Sequence, residues 1–248
     1  MGVLKTQTPN KDMQLDVTVV LPAINEVDII EQTVKKISHA LETYGCTYEI
    51  IIAEDGSTDG TDQKAAELAQ TFSYVRHLHN NKRLGRGKAL DNTFRRSNGQ
   101  VLIYMDVDLA TDLKHLSQLI SAVTVEGYSL ATGSRLLSQS KVERTLTRNL
   151  VSKLYNFLTR LFLKSEIKDH QCGFKAFQRE MLLPLLDEVT ANHWFWDTET
   201  LVRAQRKGFK VKEIPVEWAS TRETKVKLFK DSLDMGWQVL VLWAHLTF

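Results

Sequence analysis

Cysteine is scarce in this chain: two residues, Cys46 and Cys172, among 248. That excludes a disulfide framework and a four-cysteine zinc site, and it fits a reducing compartment. The four prolines and twelve glycines gather into no linker, repeat or low-complexity tract, so one continuous domain over residues 1–248 is expected. No apolar run reaches the roughly 20 residues of a membrane span. The nearest candidate, Trp237 to Phe248, is too short, and Met1 to Lys11 is too polar for a signal peptide. A large excess of one charge is also missing. The net charge is +2, and no nucleic-acid partner is expected. The seven histidines are scattered, without zinc-ligand spacing.

What is present is a globular composition, 43% apolar and 25% charged, in a chain long enough to bury roughly 70–75% of its unfolded surface. The small net charge hides an asymmetry. Residues 1–134 hold 13 Lys/Arg against 17 Asp/Glu, and residues 135–248 hold 19 against 13. The first half suits a cation and the second an anionic partner.

Through residue 134, apolar strands alternate with helical patterns. Strands are expected at Val17–Leu21, Glu49–Ala53, Val75–Leu78, Val101–Met105 and Tyr128–Thr132. Helices are expected at Glu26–Leu41, from a Ser57 or Thr58 cap to Gln70, at Lys88–Arg96 and at Leu113–Val123. This alternation predicts an α/β, Rossmann-like, mostly parallel sheet with helices on both faces. Beyond Gly133 the expected elements are a long basic amphipathic helix over Val142–Leu163, a short strand at Phe174–Phe177, helices at Arg179–Leu186 and Thr198–Lys207, a strand at Val211–Trp218 and a terminal helix at Leu228–His245.

Ligands of open parallel sheets sit at the carboxyl ends of strands. There the chain places Asn25-Glu26, Glu54-Asp55 and Asp106-Val107-Asp108. Converging acids need a cation or hydrogen-bond donors. Asp106 and Asp108, two apart, would project to one side of a strand and suit Mg²⁺ or Mn²⁺. The bland alternative is a solvated strand-end turn. Residues 54–60 read equally as a helix cap and turn or as a carboxylate, Asp55, placed to accept from a base or ribose. Glu26 has the same ambiguity at a helix N-terminus. Asn81 to Lys88 is a basic, Gly-containing loop opening a helix. It fits neither a P-loop nor a dinucleotide fingerprint. Closure over a sugar-nucleotide diphosphate, with Lys88 on the donor, and a merely solvated loop both stay open.

The series PAINE (22–26), EDGSTDGT (54–61), NKRLGRGKALDNTF (81–94), MDVDLATD (105–112), GSRL (133–136), DHQCGFKAF (169–177) and WDTE (196–199) resembles family-2 inverting glycosyltransferases of the GT-A fold. Within them it is most similar to the dolichyl-phosphate glucosyltransferase and mannose synthase branch. The resemblance runs from about Asp16 to Lys227, and QCGFK with DVDLAT leans to the glucosyl side. It implies that residues 16–134 bind a nucleotide-sugar donor and residues 135–248 face a polyprenyl or dolichyl phosphate acceptor. Pro22, Asn25, Glu26 and Asp55 would line the nucleotide pocket. Asp106 and Asp108 would hold ribose, diphosphate and Mg²⁺ or Mn²⁺. Arg135 and Arg148 would meet acceptor phosphate, and Arg222 and Lys225 would belong to a loop closing over phosphates. Ile24 and Ala110 depart from the family pattern, where an aromatic and a Gln are frequent, and TRETKVK departs from the usual closing loop.

A polyprenyl monophosphate has a second pKa of about 6, so it attacks as a dianion and no general base is nominated. Arg135 to Lys175 holds nine Lys/Arg against three acids, and Leu146, Leu150, Leu154, Phe157, Leu158 and Leu161 give it an apolar face. That reads as a membrane-surface element or as a core-packing helix. The terminal apolar stretch reads as core, membrane contact or homodimer interface. A chain peripheral to the cytoplasmic face of a membrane is expected. Trp194, Trp196 and His193 read as core aromatics or a sugar wall, Asp197 or Thr198 as a helix cap, and Cys172 as a small buried residue. The alternatives are a GDP-mannose donor, a soluble transferase with a hydroxyl acceptor, an Asp-x-Asp phosphohydrolase (disfavoured by Ala110, where a Thr is needed) and a non-catalytic sugar-nucleotide binder.

Overall fold

β-Branched and aliphatic residues fill the central strands because helices cover both of their faces. A computed structural model describes residues 15–219 and 228–247. The elements are β1 (Leu15–Ala23), α1 (Ile30–Tyr44), β2 (Tyr48–Glu54), α2 (Thr61–Thr71), β3 (Val75–His79), α3 (Arg86–Phe94), β4 (Gly99–Met105), α4 (Leu116–Thr124), β5 (Leu130–Ser134), β6 (Lys141–Glu143), α5 (Leu146–Leu163), β7 (Phe174–Gln178), α6 (Arg179–Leu185), α7 (Trp196–Arg206), β8 (Val211–Pro215), β9 (Glu217–Ala219) and α8 (Leu228–Thr247).

Seven strands form one sheet in the order β3-β2-β1-β4-β7-β5-β8. β7 runs antiparallel to both neighbours and every other pairing is parallel. Along β1, Val17, Val19 and Leu21 pack with α1, α2 and α4 on one face, while Val20 joins α3, α6 and α7 on the other. Each buried side chain of this kind stabilises the fold by about 1.5–3 kcal/mol. A third cluster joins Tyr155 and Leu163 of α5, Val202 of α7, and Met235, Val239 and Leu242 of α8. From β1 the chain steps outward to β2 and β3, then returns to place β4 on the other side of β1. That reversal opens a crevice beyond the carboxyl ends of β1 and β4.

Several boundaries differ from the sequence pattern. The long basic helix starts at Leu146, because Lys141–Glu143 pairs in parallel with Glu217–Ala219 as a separate two-stranded sheet. Thr145 caps the helix, its side chain accepting from the Arg148 N–H. The expected strand Val211–Trp218 is correspondingly divided after Pro215 between the two sheets. Helix α1 starts at Ile30, after a turn in which the Glu26 carbonyl accepts from the N–H groups of Ile29 and Ile30. Among the described residues no helix is long and apolar enough to cross a membrane.

Candidate active site

The loops after β1 and β2 are stitched together. Asn25, at φ 52°, accepts at Oδ1 from the Thr58 N–H (2.9 Å) and donates its own N–H to Ser57 Oγ (2.9 Å). The Glu26 N–H donates to Thr61 Oγ1 at 2.7 Å. Ser57 and Thr58 thus brace the β1 loop and do not cap α2, whose N-cap is Gly60. Asp55 is buried and anchors the basic loop, accepting from the N–H groups of Leu84 (2.7 Å) and Gly85 (2.9 Å).

Asp106 and Asp108 leave β4 in a turn and are not on the strand itself. The Leu109 N–H donates to the Asp106 carbonyl at 3.1 Å, Leu109 takes φ 49°, and Asp108 Oδ1 accepts from the Ala110 N–H at 3.1 Å. Both carboxylates line a cavity of about 530 Å³, together with Pro22, Asn25, Glu26 and Asp55. Gly173 passes so close that a Cβ there would lie 2.0 Å from Asp106 Oδ2.

Arg86 bridges two acids, with one guanidinium nitrogen 2.7 Å from Asp106 Oδ1 and the other 2.6 Å from Asp197 Oδ2. Its guanidinium carbon lies 5.0 Å from the Tyr104 ring centroid and 5.5 Å from that of Trp194. Asp197 also accepts from Tyr104 Oη and from Lys175 Nζ, the latter at 2.8 Å. Burial pushes the Asp197 carboxyl up to about 6 against the pull of Arg86, and burial lowers Lys175 to about 7. Beside them Arg135 grips buried Asp169 through its backbone N–H (2.9 Å), Nε (2.7 Å) and a terminal nitrogen (2.9 Å). Burial alone would raise the Asp169 carboxyl, but the Arg135 charge overrides it and holds it well below the usual carboxylate range. Arg144 and Arg148 join Arg135 on the cavity wall. Burial, then repulsion from Arg135, brings Arg144 down to about 10.

Residues 18–185 match the family described as "Glycosyl transferase family 2". The chain belongs to that family. It is 48% identical over 235 residues to "Glycosyltransferase AglD" of Haloferax volcanii, an alignment covering 94% of this chain and 38% of that protein. It is 29% identical over 250 residues to a "Dolichyl-phosphate beta-glucosyltransferase" of Saccharomyces cerevisiae, covering 93% and 75%. Its fold is similar to that of glucosyl-3-phosphoglycerate synthase from Mycobacterium tuberculosis, solved with Mn²⁺, UDP and glucosyl-3-phosphoglycerate. There the TM-score is 0.65 and the identity 21%, over 91% of this chain and 77% of that one. The fold is GT-A, as the motifs implied.

In this family-2 chain the cavity gathers Pro22, Asn25, Glu26, Asp55, Asp106, Asp108, Arg135 and Arg148. Lys88 is not among them. Its Nζ pairs with Asp91 one helical turn away, at 2.7 Å, and the loop's cations on the cavity are Arg83 and Arg86. Arg222 and Lys225 lie outside the described residues. Asp197 does not cap α7; Phe195 holds the N-cap position, and Asp197 turns inward to Arg86. Trp196 is core, between Phe94, Tyr104 and Phe177, whereas His193 and Trp194 line the cavity. Burial pushes the Cys172 thiol up to about 11, which suits an inert core residue. In the sequence, Arg86, Asp169 and Lys175 stand out only as members of the motifs 81–94 and 169–177. The donor set fits a hard divalent cation: both carboxylates line the cavity and the Asp106 side chain is 44% exposed, although the ion would compete with Arg86 for one Asp106 oxygen.

Proposed function

We propose that this chain transfers a hexose, with inversion, from a nucleotide-sugar donor to a polyprenyl or dolichyl monophosphate, the donor being UDP-glucose. The observation that carries this reading is the polarity of one cavity. Acidic residues from three strand ends and the cations Arg135, Arg144 and Arg148 line it together. The name of the yeast relative supports glucosyl transfer to a lipid phosphate, and the Mn²⁺ and UDP of the structural neighbour support the donor side.

Asp106 and Asp108 would hold Mg²⁺ or Mn²⁺, which supplies positive charge to the departing diphosphate. The protein's part is positioning and charge. Asp55 and Asn25 shape the nucleotide end, where Asp55 also fixes the loop carrying Arg86. Arg135 is held in place by Asp169, and Arg148 projects from the first turn of α5, so acceptor phosphate meets preorganised cations. The acceptor is already a dianion near neutral pH, with a second pKa of about 6. It therefore needs no proton taken from it. Asp197 is unsuited to that task, being committed to Arg86, Lys175 and Tyr104. In-line displacement then inverts the anomeric carbon.

One face of the α5–α8 pair would rest on the cytoplasmic surface of a membrane. On α5, exposure runs from 56% at Leu154 to 87% at Leu146, flanked by Lys153, Arg160 and Lys164. The deciding experiment assays the purified chain with Mn²⁺, UDP-glucose or GDP-mannose, and either a polyprenyl phosphate or a soluble hydroxyl acceptor. Glucosyl transfer to the lipid phosphate is expected. Turnover with GDP-mannose alone overturns the donor, transfer only to the hydroxyl acceptor overturns the lipid phosphate, and nucleotide binding without turnover overturns the enzyme.

A further inference from the structure

Away from the donor cavity, β2, β3 and α2 bring together four metal-ligating side chains. Glu54 ends β2, and the parallel register sets it beside His79 and sets Ile52 beside His77. His77 and His79, two apart, share one face of β3, and Asp62 lies in the first turn of α2. One donor atom from each lies within 4.8 Å of all the others. None of the four lines the donor cavity.

The spacing is close to that of a coordination shell. His79 Nδ1 is 2.6 Å from Glu54 Oε2 and 3.0 Å from Asp62 Oδ1, and His77 Nε2 is 3.3 Å from Asp62 Oδ1. Donors on a tetrahedral ion with bonds of 2.0–2.1 Å stand about 3.3 Å apart, so small outward shifts admit an ion. His79 Nε2 donates to Asn81 Oδ1 at 2.9 Å, which turns Nδ1 inward as an outer-shell partner does in metal sites. Glu54 is completely buried; its Oε1 accepts from the Ser57 N–H, and its Oε2, turned to His79, favours a positive neighbour. A protonated His79 would supply one. It would leave His77 Nε2, which is buried and makes no hydrogen bond despite lying 3.3 Å from Asp62 Oδ1, poorly satisfied, whereas a metal ion satisfies both.

We infer that Glu54, Asp62, His77 and His79 bind one divalent transition-metal ion of the zinc class. Two carboxylates and two neutral imidazoles balance its charge, and a mixed nitrogen and oxygen set suits it better than Mg²⁺. Asp62 and His79 are 34% and 36% exposed, which leaves a path from solvent. The ion would clamp edge strand β3 and helix α2 to the end of β2, one residue before Asp55. It is distinct from the cation position at Asp106 and Asp108, and it stands whether or not the proposed transfer reaction does.

The test titrates Zn²⁺ into the chelator-stripped full chain by calorimetry. The parent is compared with His77→Gln/His79→Gln, Asn81→Ala and Asp108→Asn. The expected result is one Zn²⁺ site kept in Asp108→Asn and weakened more than about 100-fold in the double variant. In Asn81→Ala it should weaken about 10–100-fold. Co²⁺ in the parent should give the intense visible absorption of a four-coordinate ion. Circular dichroism reports whether the double variant folds; if it does not, Asn81→Ala and the Co²⁺ spectrum carry the test. Zn²⁺ binding undiminished in the histidine or Asn81 variants, or a parent with no site beyond the one that Asp108→Asn removes, overturns the inference.

Discussion

Asp106 is held from two directions at once. Arg86 takes one carboxylate oxygen at 2.7 Å, and the backbone of Gly173 runs against the other. The Asp106 N–H also donates to the Gly173 carbonyl at 3.1 Å, so the two positions move together. A methyl at Gly173 would occupy the space of the carboxylate and rotate it away from Asp108. Gly173→Ala is therefore expected to lower kcat/KM about 100-fold, the size of effect that a displacement of about 1 Å produces. The overpacking should cost about 1–3 kcal/mol of stability. Steady-state kinetics and thermal melts on the same preparation check both. A variant with parental kcat/KM would detach Asp106 from the reaction. At this scale the sequence could reveal the acids that end apolar strands, because the strand pattern announces where they stand. It could not reveal that Arg86 joins Asp106 to Asp197. Arg86 and Asp197 are 111 positions apart, and only the tertiary fold decides which of several nearby charges pair.

Helix α5 serves two surfaces. Arg148, Val151, Ser152 and Tyr155 face the cavity, while Leu146, Leu150, Leu154, Phe157 and Leu161 face outward at helical spacing. Packed beside it, α8 buries Met235, Val239 and Leu242 and exposes Leu233 and Trp237. The amphipathic period of α5 was readable from the sequence. Its start was not, because Val142 fits the helical spacing, yet Lys141–Glu143 pairs with a strand some 76 positions away. The antiparallel setting of β7 was hidden for a related reason: five residues, four of them buried, carry no sign of direction. The exposed row leads to a prediction about the element itself. Each apolar side chain leaving water contributes about 1.5–3 kcal/mol. Leu150→Glu/Leu154→Glu should therefore lose about 3 kcal/mol or more of membrane affinity, roughly a hundredfold in partitioning. Flotation with anionic vesicles measures this, and melting curves confirm the fold. Unchanged flotation, with a dimeric parent made monomeric by the substitutions, would assign the face to self-association instead.

Across the described residues, strands of both halves share the seven-stranded sheet, and the segment just before β7 carries the buried ionisable groups Asp169 and His170. His170 is the group whose titration the fold suppresses most plainly. It is buried, its Nδ1 donates to Asn156 Oδ1 at 2.8 Å, and its Nε2 meets Ser165 Oγ at 2.8 Å. Burial lowers its pKa from 6.5 to about 3. Between those values the unfolded chain holds a proton on this ring that the folded protein refuses. The contribution of this group to stability is therefore complete above pH 6.5 and falls as pH is lowered through the interval. The loss is about 2 kcal/mol by pH 5 and on the order of 4 kcal/mol over the full range. Asp169 adds a second, lower limb. Its carboxylate is held well below the usual range in the fold, so its contribution is present above an unfolded pKa of about 3.9 and is lost only as pH falls below it. The two limbs separate by substitution. Asp197, pushed up to about 6, gains a proton in the fold over the lower part of this range and offsets part of the loss, in the parent and in a His170 variant alike. In urea unfolding at pH 7, 6, 5 and 4, His170→Gln, less stable at pH 7 but with no proton to refuse, should therefore gain on the parent by about 2 kcal/mol between pH 7 and 5. A variant that keeps the parental slope between pH 7 and 5 would place that sensitivity elsewhere in the fold.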